Sequence, residues 1–202
     1  NASEHRPLRM PRRGRIGVLG GTFDPIHLGH LVAAAEVLHR MALDEVLLVP
    51  AGSPWQKQDR EITDAEQRYV MTVLATDRSP FRASRVDIDR SGPTFTADTL
   101  RDLHRDLEPE QLFFITGADA LAGLPTWREP HTVMELAHLV GVTRPGHPIR
   151  GNLPPGAATI IDIPSLDVSS TMCRDRVAAG EPIDYLCPAP VVEYIHKHSL
   201  YR

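Results

Sequence analysis

Ile16-Gly17-Val18-Leu19-Gly20-Gly21-Thr22-Phe23-Asp24-Pro25-Ile26-His27-Leu28-Gly29-His30-Leu31-Val32-Ala33-Ala34-Ala35 joins an apolar run, a glycine turn and the start of a second apolar stretch. Residues 16–19 predict a buried strand, and residues 31–41 a helix with its apolar side chains on a broad stripe. Glycine lets a backbone turn sharply and a phosphate approach closely. The first free N–H groups of a helix add an anion site that the macrodipole strengthens. His27 and His30 stand three apart, so one helical turn can aim both imidazoles at the same bound anion. The stretch reads as a phosphate-handling site with no P-loop lysine.

Working outward, apolar runs alternate with helical patterns in a βαβ rhythm. Further strands are expected at 46–49, 85–88, 112–115, 139–142 and 159–163. Thr63-Asp64-Ala65-Glu66 is a capping-box pattern before a helix over 69–75, and other helices are expected at 96–107, at 133–137 and from near Pro190. The fold class is therefore α/β: a Rossmann-like, doubly wound, mainly parallel sheet with helices on both faces and a small C-terminal helical portion. Residues 1–14 are expected to be a disordered tail and residues 15–202 a single domain. Residues 50–62 and 145–158 are loops able to close over a ligand. In such sheets ligands bind at the carboxyl ends of the strands, and the 20–30 turn follows the first strand.

Composition excludes several classes. With 22 Lys and Arg against 26 Asp and Glu, the net charge of −4 argues against binding of polymeric nucleic acid, which needs a basic face. The arginines at 6, 9, 12, 13 and 15 form the one basic cluster, ahead of the first predicted strand. No apolar run approaches the ~18 residues of a membrane span, so no membrane partner is expected and the chain is read as cytoplasmic. Cys173 and Cys187 have no C-x-x-C spacing and are read as free thiols. No metal site is expected from the side chains: His196 and His198 end a helix, where a surface pair suits the dipole. Oligomeric state is left open.

A second motif, Val168-Ser169-Ser170-Thr171-Met172-Cys173-Arg174, puts three hydroxyls at a helix start and an arginine one turn on, able to clamp a phosphate through two N–H groups. Ile115-Thr116-Gly117-Ala118-Asp119 is a strand, a glycine and an acid opening a helix. Asp119 could cap that helix, accept from ribose hydroxyls, or do both. Trp127 sits between Pro125 and Arg128-Glu129-Pro130, a poor setting for core packing.

These motifs resemble the bacterial nicotinate-mononucleotide adenylyltransferase family, within the nucleotidyltransferases that carry a His-x-Gly-His turn. Gly-Gly-Thr-Phe-Asp-Pro-Ile-His-x-Gly-His carries the resemblance, with the serine-threonine-arginine segment, Gly-x-Asp, and Gly92-Pro93-Thr94-Phe95-Thr96-Ala97-Asp98-Thr99-Leu100. It implies transfer of the adenylyl group of ATP to nicotinate mononucleotide, giving nicotinate adenine dinucleotide and pyrophosphate for NAD biosynthesis. It implies Mg2+ carried mainly by the ATP phosphates. His27, His30 and Arg174 would be catalytic. Gly20, Gly21, Thr22, Phe23, Lys57, Gly117, Asp119, Ser169, Ser170 and Thr171 would hold ATP. Thr94, Thr96, Trp127 and Arg128 would hold the nicotinate. Phe95 stands where the family usually has Tyr, and Trp55-Gln56 where it has Pro-His. Transfer to phosphopantetheine is the same-class alternative. A nucleotide-binding regulator without turnover is the alternative outside it.

Overall fold

The computed structural model describes residues 14–53, 61–77, 79–143, 156, 158–164 and 166–202. Six strands form one parallel sheet: β1 (Arg15–Gly21), β2 (Glu45–Pro50), β3 (Phe81–Ala83), β4 (Gln111–Gly117), β5 (Ala137–Thr143) and β6 (Ala158–Asp162). Their spatial order is β3-β2-β1-β4-β5-β6, the doubly wound order. The chain winds outward from β1 in both directions, so its carboxyl end opens at the switch point between β1 and β4. The predicted fold class is the observed one.

Alternation along the central strands loads both faces. From β1, Ile16 and Val18 point to one side and Leu19 to the other. From β4, Leu112 and Phe114 oppose Phe113 and Ile115 in the same way. One face carries α1 (Leu28–Arg40), α2 (Ala65–Thr76), α6 (Ser170–Ala178) and α7 (Ala189–Lys197), through Val37, Met71, Cys173 and Val191. The other carries α3 (Thr96–Leu107), α4 (Ala118–Ala122) and α5 (Pro130–Leu136), through Leu100, Leu121 and Val133. Each fully buried aliphatic side chain contributes about 1.5–3 kcal/mol, so the site stands on a sheet packed from both sides.

Local chemistry moves several predicted boundaries. The strand expected at 85–88 is a turn in which Ile88 N–H and Asp89 N–H donate to the Arg85 carbonyl. The edge strand β3 lies earlier, and Val86 and Ile88 gave a false alternation. The capping-box reading is also corrected: Asp64 is the N-cap and accepts from Glu66 N–H at 2.9 Å. The Glu66 carboxylate instead takes both Arg85 Nη groups, at 2.7 and 2.8 Å. The helix expected at 133–137 begins at Pro130, whose fixed φ suits a first helical position, and Ala137 pairs with Leu112 as the start of β5. Arg15 belongs to β1, its guanidinium 4.6 Å above the Phe113 ring. The other basic residues of the cluster, at 6, 9, 12 and 13, lie outside the described residues.

Candidate active site

The 20–30 turn leaves β1 at the switch point, and its geometry is set from several directions. Phe23 adopts φ +51° and buries its ring at 2% exposure, so this position can offer a phosphate its main chain but not its side chain. His27 is the N-cap of α1 and His30 its third residue. His27 N–H donates to His30 Nδ1 at 3.2 Å, and the rings stack with centroids 3.7 Å apart. The Phe23 ring meets His30 edge-on at 4.9 Å. The structure thus brings both imidazoles together at the helix start, His27 buried and His30 half-buried. Gly29 between them has a steric reason: a Cβ there would stand 3.0 Å from the His27 ring and 3.2 Å from Val168.

The serine-rich segment arrives at the same turn. Ser169 caps α6 by accepting from Met172 N–H at 3.1 Å. Ser170 Oγ donates to the Pro25 carbonyl and Arg174 Nη1 to the Asp24 carbonyl, both at 2.8 Å, while Arg174 Nη2 reaches Thr171 Oγ1 at 3.1 Å. Arg174 therefore stands at the turn with both arms engaged. Asp24 itself is 1% exposed and accepts from Tyr201 Oη at 2.7 Å and from Thr63 N–H at 3.4 Å. Burial and the facing Asp24 carboxylate push the Tyr201 phenol well above its usual range, keeping it a donor.

Beside this turn lies a cavity of about 500 Å3. Its lining includes Gly20, Gly21 and Thr22, together with Thr94, Thr96, Asp119, Trp127 and Arg128. Among the described residues no side chain caps the N-terminus of α3, at Phe95. Trp127 is half-buried and meets Phe114 edge-on at 5.9 Å, while Arg128 lies 4.5 Å over the Phe95 ring. Trp127 is thus partly packed on the core and partly presented to the cavity. Thr94 N–H donates to the Ser53 carbonyl, and Ser53 N–H to Thr94 Oγ1, which ties the β2 end to the start of α3. His27, His30, Ser169, Ser170, Thr171, Arg174, Phe23 and Gly117 do not line this cavity; Gly117 is the N-cap of α4 at its margin. Lys57, with Trp55 and Gln56, lies outside the described residues, as does most of the 145–158 loop.

Two features escaped the sequence reading. Asp87 lines the cavity at 4% exposure, takes Thr99 Oγ1 at 2.6 Å and Arg90 Nη1 at 2.8 Å, and is pushed up by burial against both bonds. Gly52 lies so close to it that a Cβ would fall 2.2 Å from the Asp87 carbonyl oxygen. The false strand at 85–88 hid this residue. Arg68 is the other, 1% exposed and hydrogen-bonded to four carbonyls. Its signal was present: residues 68, 71, 72 and 75 have the spacing of a buried helical stripe, and one of them is a cation.

The profile of the cytidylyltransferase-like family matches residues 18–176. The chain is 57% identical over 196 residues to a protein of Saccharopolyspora erythraea named probable nicotinate-nucleotide adenylyltransferase, covering 96% of this chain and 92% of that one. It is 58% identical over 187 residues to a Streptomyces coelicolor protein of the same name, covering 91% and 99%. Among solved structures, it is similar to Plasmodium falciparum nicotinic acid mononucleotide adenylyltransferase complexed with NaAD. That match has TM-score 0.73 and 19% identity, and covers 93% of this chain and 97% of the other.

Proposed function

The chain belongs to the nicotinate-nucleotide adenylyltransferase family, within the cytidylyltransferase-like group, and from that premise we propose that it joins ATP to nicotinate mononucleotide, releasing pyrophosphate, as a step of NAD biosynthesis. The observation that carries this reading is Thr22. It belongs to the turn of His27 and His30, and it also forms a wall of the cavity that holds Trp127. A phosphate held at the turn and an aromatic acceptor held in the cavity would meet there. The start of α3, in the cavity lining, would present the acceptor carboxylate with the positive end of a helix. We read residues 15–202 as one nucleotidyltransferase unit acting in the cytoplasm.

An acceptor phosphate with a second pKa near ~6 is mostly dianionic at neutral pH, so no general base is needed. An acceptor phosphate oxygen forms a bond to the α-phosphorus in line. The bond from that phosphorus to the bridging oxygen breaks, and its electron pair leaves with pyrophosphate. The protein's part is orientation and preorganised donors. We assign His27 and His30 to the α-phosphate, and Arg174 and Lys57 to the leaving pyrophosphate. Main-chain N–H groups of residues 20–23 and of Ser169 and Ser170 complete the cradle, with Thr171 beside Arg174. Gly117 and Asp119 would serve the ribose. Thr94, Thr96, Trp127 and Arg128 would hold the nicotinate.

The divalent cation of such a transfer is proposed to be magnesium, which would be carried on the ATP phosphates and would neutralise charge on the leaving group. Among the described residues no three or more His, Cys, Asp or Glu side chains gather into a metal cage. Magnesium accepts such a setting, because it is commonly held by substrate phosphates and water. Among the described residues no helix is long and apolar enough to cross a membrane.

The deciding experiment gives the purified protein ATP with nicotinate mononucleotide or phosphopantetheine and follows pyrophosphate. Nicotinate mononucleotide should lead by at least ~10-fold in kcat/KM, about 1.4 kcal/mol of differential transition-state binding. Equal or reversed preference would remove the acceptor assignment and leave adenylyl transfer standing.

A further inference from the structure

Arg68 is the largest fully buried side chain among the described residues, and no role assigned above uses it. It stands in α2 on the face that packs against the sheet, with Met71, Thr72 and Ala75. Its Nε donates to the Thr63 carbonyl at 2.8 Å. Its Nη1 donates to the carbonyls of Thr22 and Ala51, at 2.8 and 2.7 Å, and its Nη2 to that of Gly52 at 3.2 Å. The four acceptors come from three segments: the turn after β1, the end of β2, and the approach to α2. A planar guanidinium with five donors can span them; a lysine ammonium, with three donors on one atom, cannot reproduce that fork.

What Arg68 fixes extends beyond the carbonyls. A trans peptide holds its N–H opposite its C=O, so turning the Thr22 and Gly52 carbonyls toward Arg68 aims the Phe23 and Ser53 N–H groups away from it. Phe23 holds a left-handed φ of +51°, a conformation that persists only where its surroundings over-determine it. Ser53 N–H donates to Thr94 Oγ1 in the cavity wall at 3.3 Å. One buried cation thus governs a peptide in the phosphate turn and a peptide bonded to the acceptor cavity.

We propose that Arg68 is a positioning residue for the transfer: it holds the turn after β1 and the end of β2 in the relative orientation that aligns the two substrates. This rests on the adenylyltransferase reading of the site. Alignment, rather than binding of either substrate alone, is what its removal should damage.

The test compares wild type, Arg68→Lys and Arg68→Met by melting temperature, active-site titration and steady-state kinetics with ATP and nicotinate mononucleotide. Arg68→Lys should fold and lose about 10²-fold in kcat per folded site, the scale of a small misalignment, with both KM values within about threefold of wild type. Arg68→Met should be no better. A merely structural arginine would lower melting temperature and yield and leave kcat per folded site unchanged. That result, a loss confined to KM, or failure of both variants to fold would overturn the positioning role. Wild type that releases no pyrophosphate would instead sink the reading on which the proposal rests.

Discussion

The two halves of the site are held by different means. The phosphate half is pinned through its own backbone: Arg174, Ser170 and Arg68 donate to carbonyls of Asp24, Pro25 and Thr22, contributed from residues 46 to 150 positions away. In the acceptor half, side chains of the cavity lining are held by other side chains: Asp87 takes Thr99 and Arg90, and Arg128 lies over Phe95. A backbone-built cradle tolerates little motion, as charge stabilisation in a transition state requires. A cavity whose lining includes half-buried Trp127 and the exposed Asp119 and Arg128 can adapt to an acceptor. Changes on the first side should therefore appear in kcat, and changes on the second in KM for the acceptor alone.

The sharpest way to break this contrast is His30→Ala. The imidazole accepts from His27 N–H, so its loss removes a capping interaction of about 0.5–2 kcal/mol, which a folded enzyme of this size should survive. The larger effect should be chemical: kcat lower by roughly 10² or more, as for one preorganised donor, with KM little changed. A folded variant with near-normal kcat would take His30 out of the site and leave the phosphate half a structural turn.

The sequence disclosed these halves unequally, for a physical reason. The proposed phosphate half is built from contiguous motifs whose glycines, hydroxyls and histidines lie in single segments, so residues 20–30 and 169–174 could be nominated from spacing. The structure then brought those two segments together. Arg68 and Asp87 act across distance: one reaches carbonyls from three other segments, and the other lies in a turn whose alternation imitates a strand. The parallel sheet was legible because its strands are short apolar runs separated by helical periods. The edge strand β3 was not, because Phe81–Ala83 is a three-residue edge strand with no fully buried residue.

On the acceptor side Trp127→Ala measures the same contrast from the other end. The indole is half-buried and edge-on to Phe114, an interaction worth about 0.5–1.5 kcal/mol, so truncation should shift melting by only a few degrees. If the exposed face stacks on the pyridine ring, KM for nicotinate mononucleotide should rise about 10-fold, the scale of one base–aromatic stack, with KM for ATP and kcat nearly unchanged. Trp127→Phe should recover most of the loss because a π-face remains. A large melting loss with an unchanged acceptor KM would make Trp127 core and erase the distinction between the halves.

The smallest effect belongs to Asp87, where the acceptor half holds a buried charge among side chains instead of carbonyls. Burial raises its carboxyl above the ordinary range, against the opposing hydrogen bond from Thr99 and the pairing with Arg90. For a raised acid the protonated form is the one the fold favours. Its contribution to stability is fully present below the unfolded value, about 3.9, and is lost as pH rises through the higher folded value. Asp87→Asn is nearly isosteric, keeps an acceptor for Thr99 and does not titrate. The melting temperature of wild type minus that of Asp87→Asn should therefore fall as pH rises through this window and level off beyond it. Removing a carboxylate from a cavity that takes an anionic acceptor should also lower KM for nicotinate mononucleotide slightly and leave KM for ATP unchanged. Melting curves from acid to neutral pH give the slope directly: a difference that rises with pH would mean that Arg90 and Thr99 outweigh burial, and that this wall, like the phosphate half, is an electrostatically satisfied cradle.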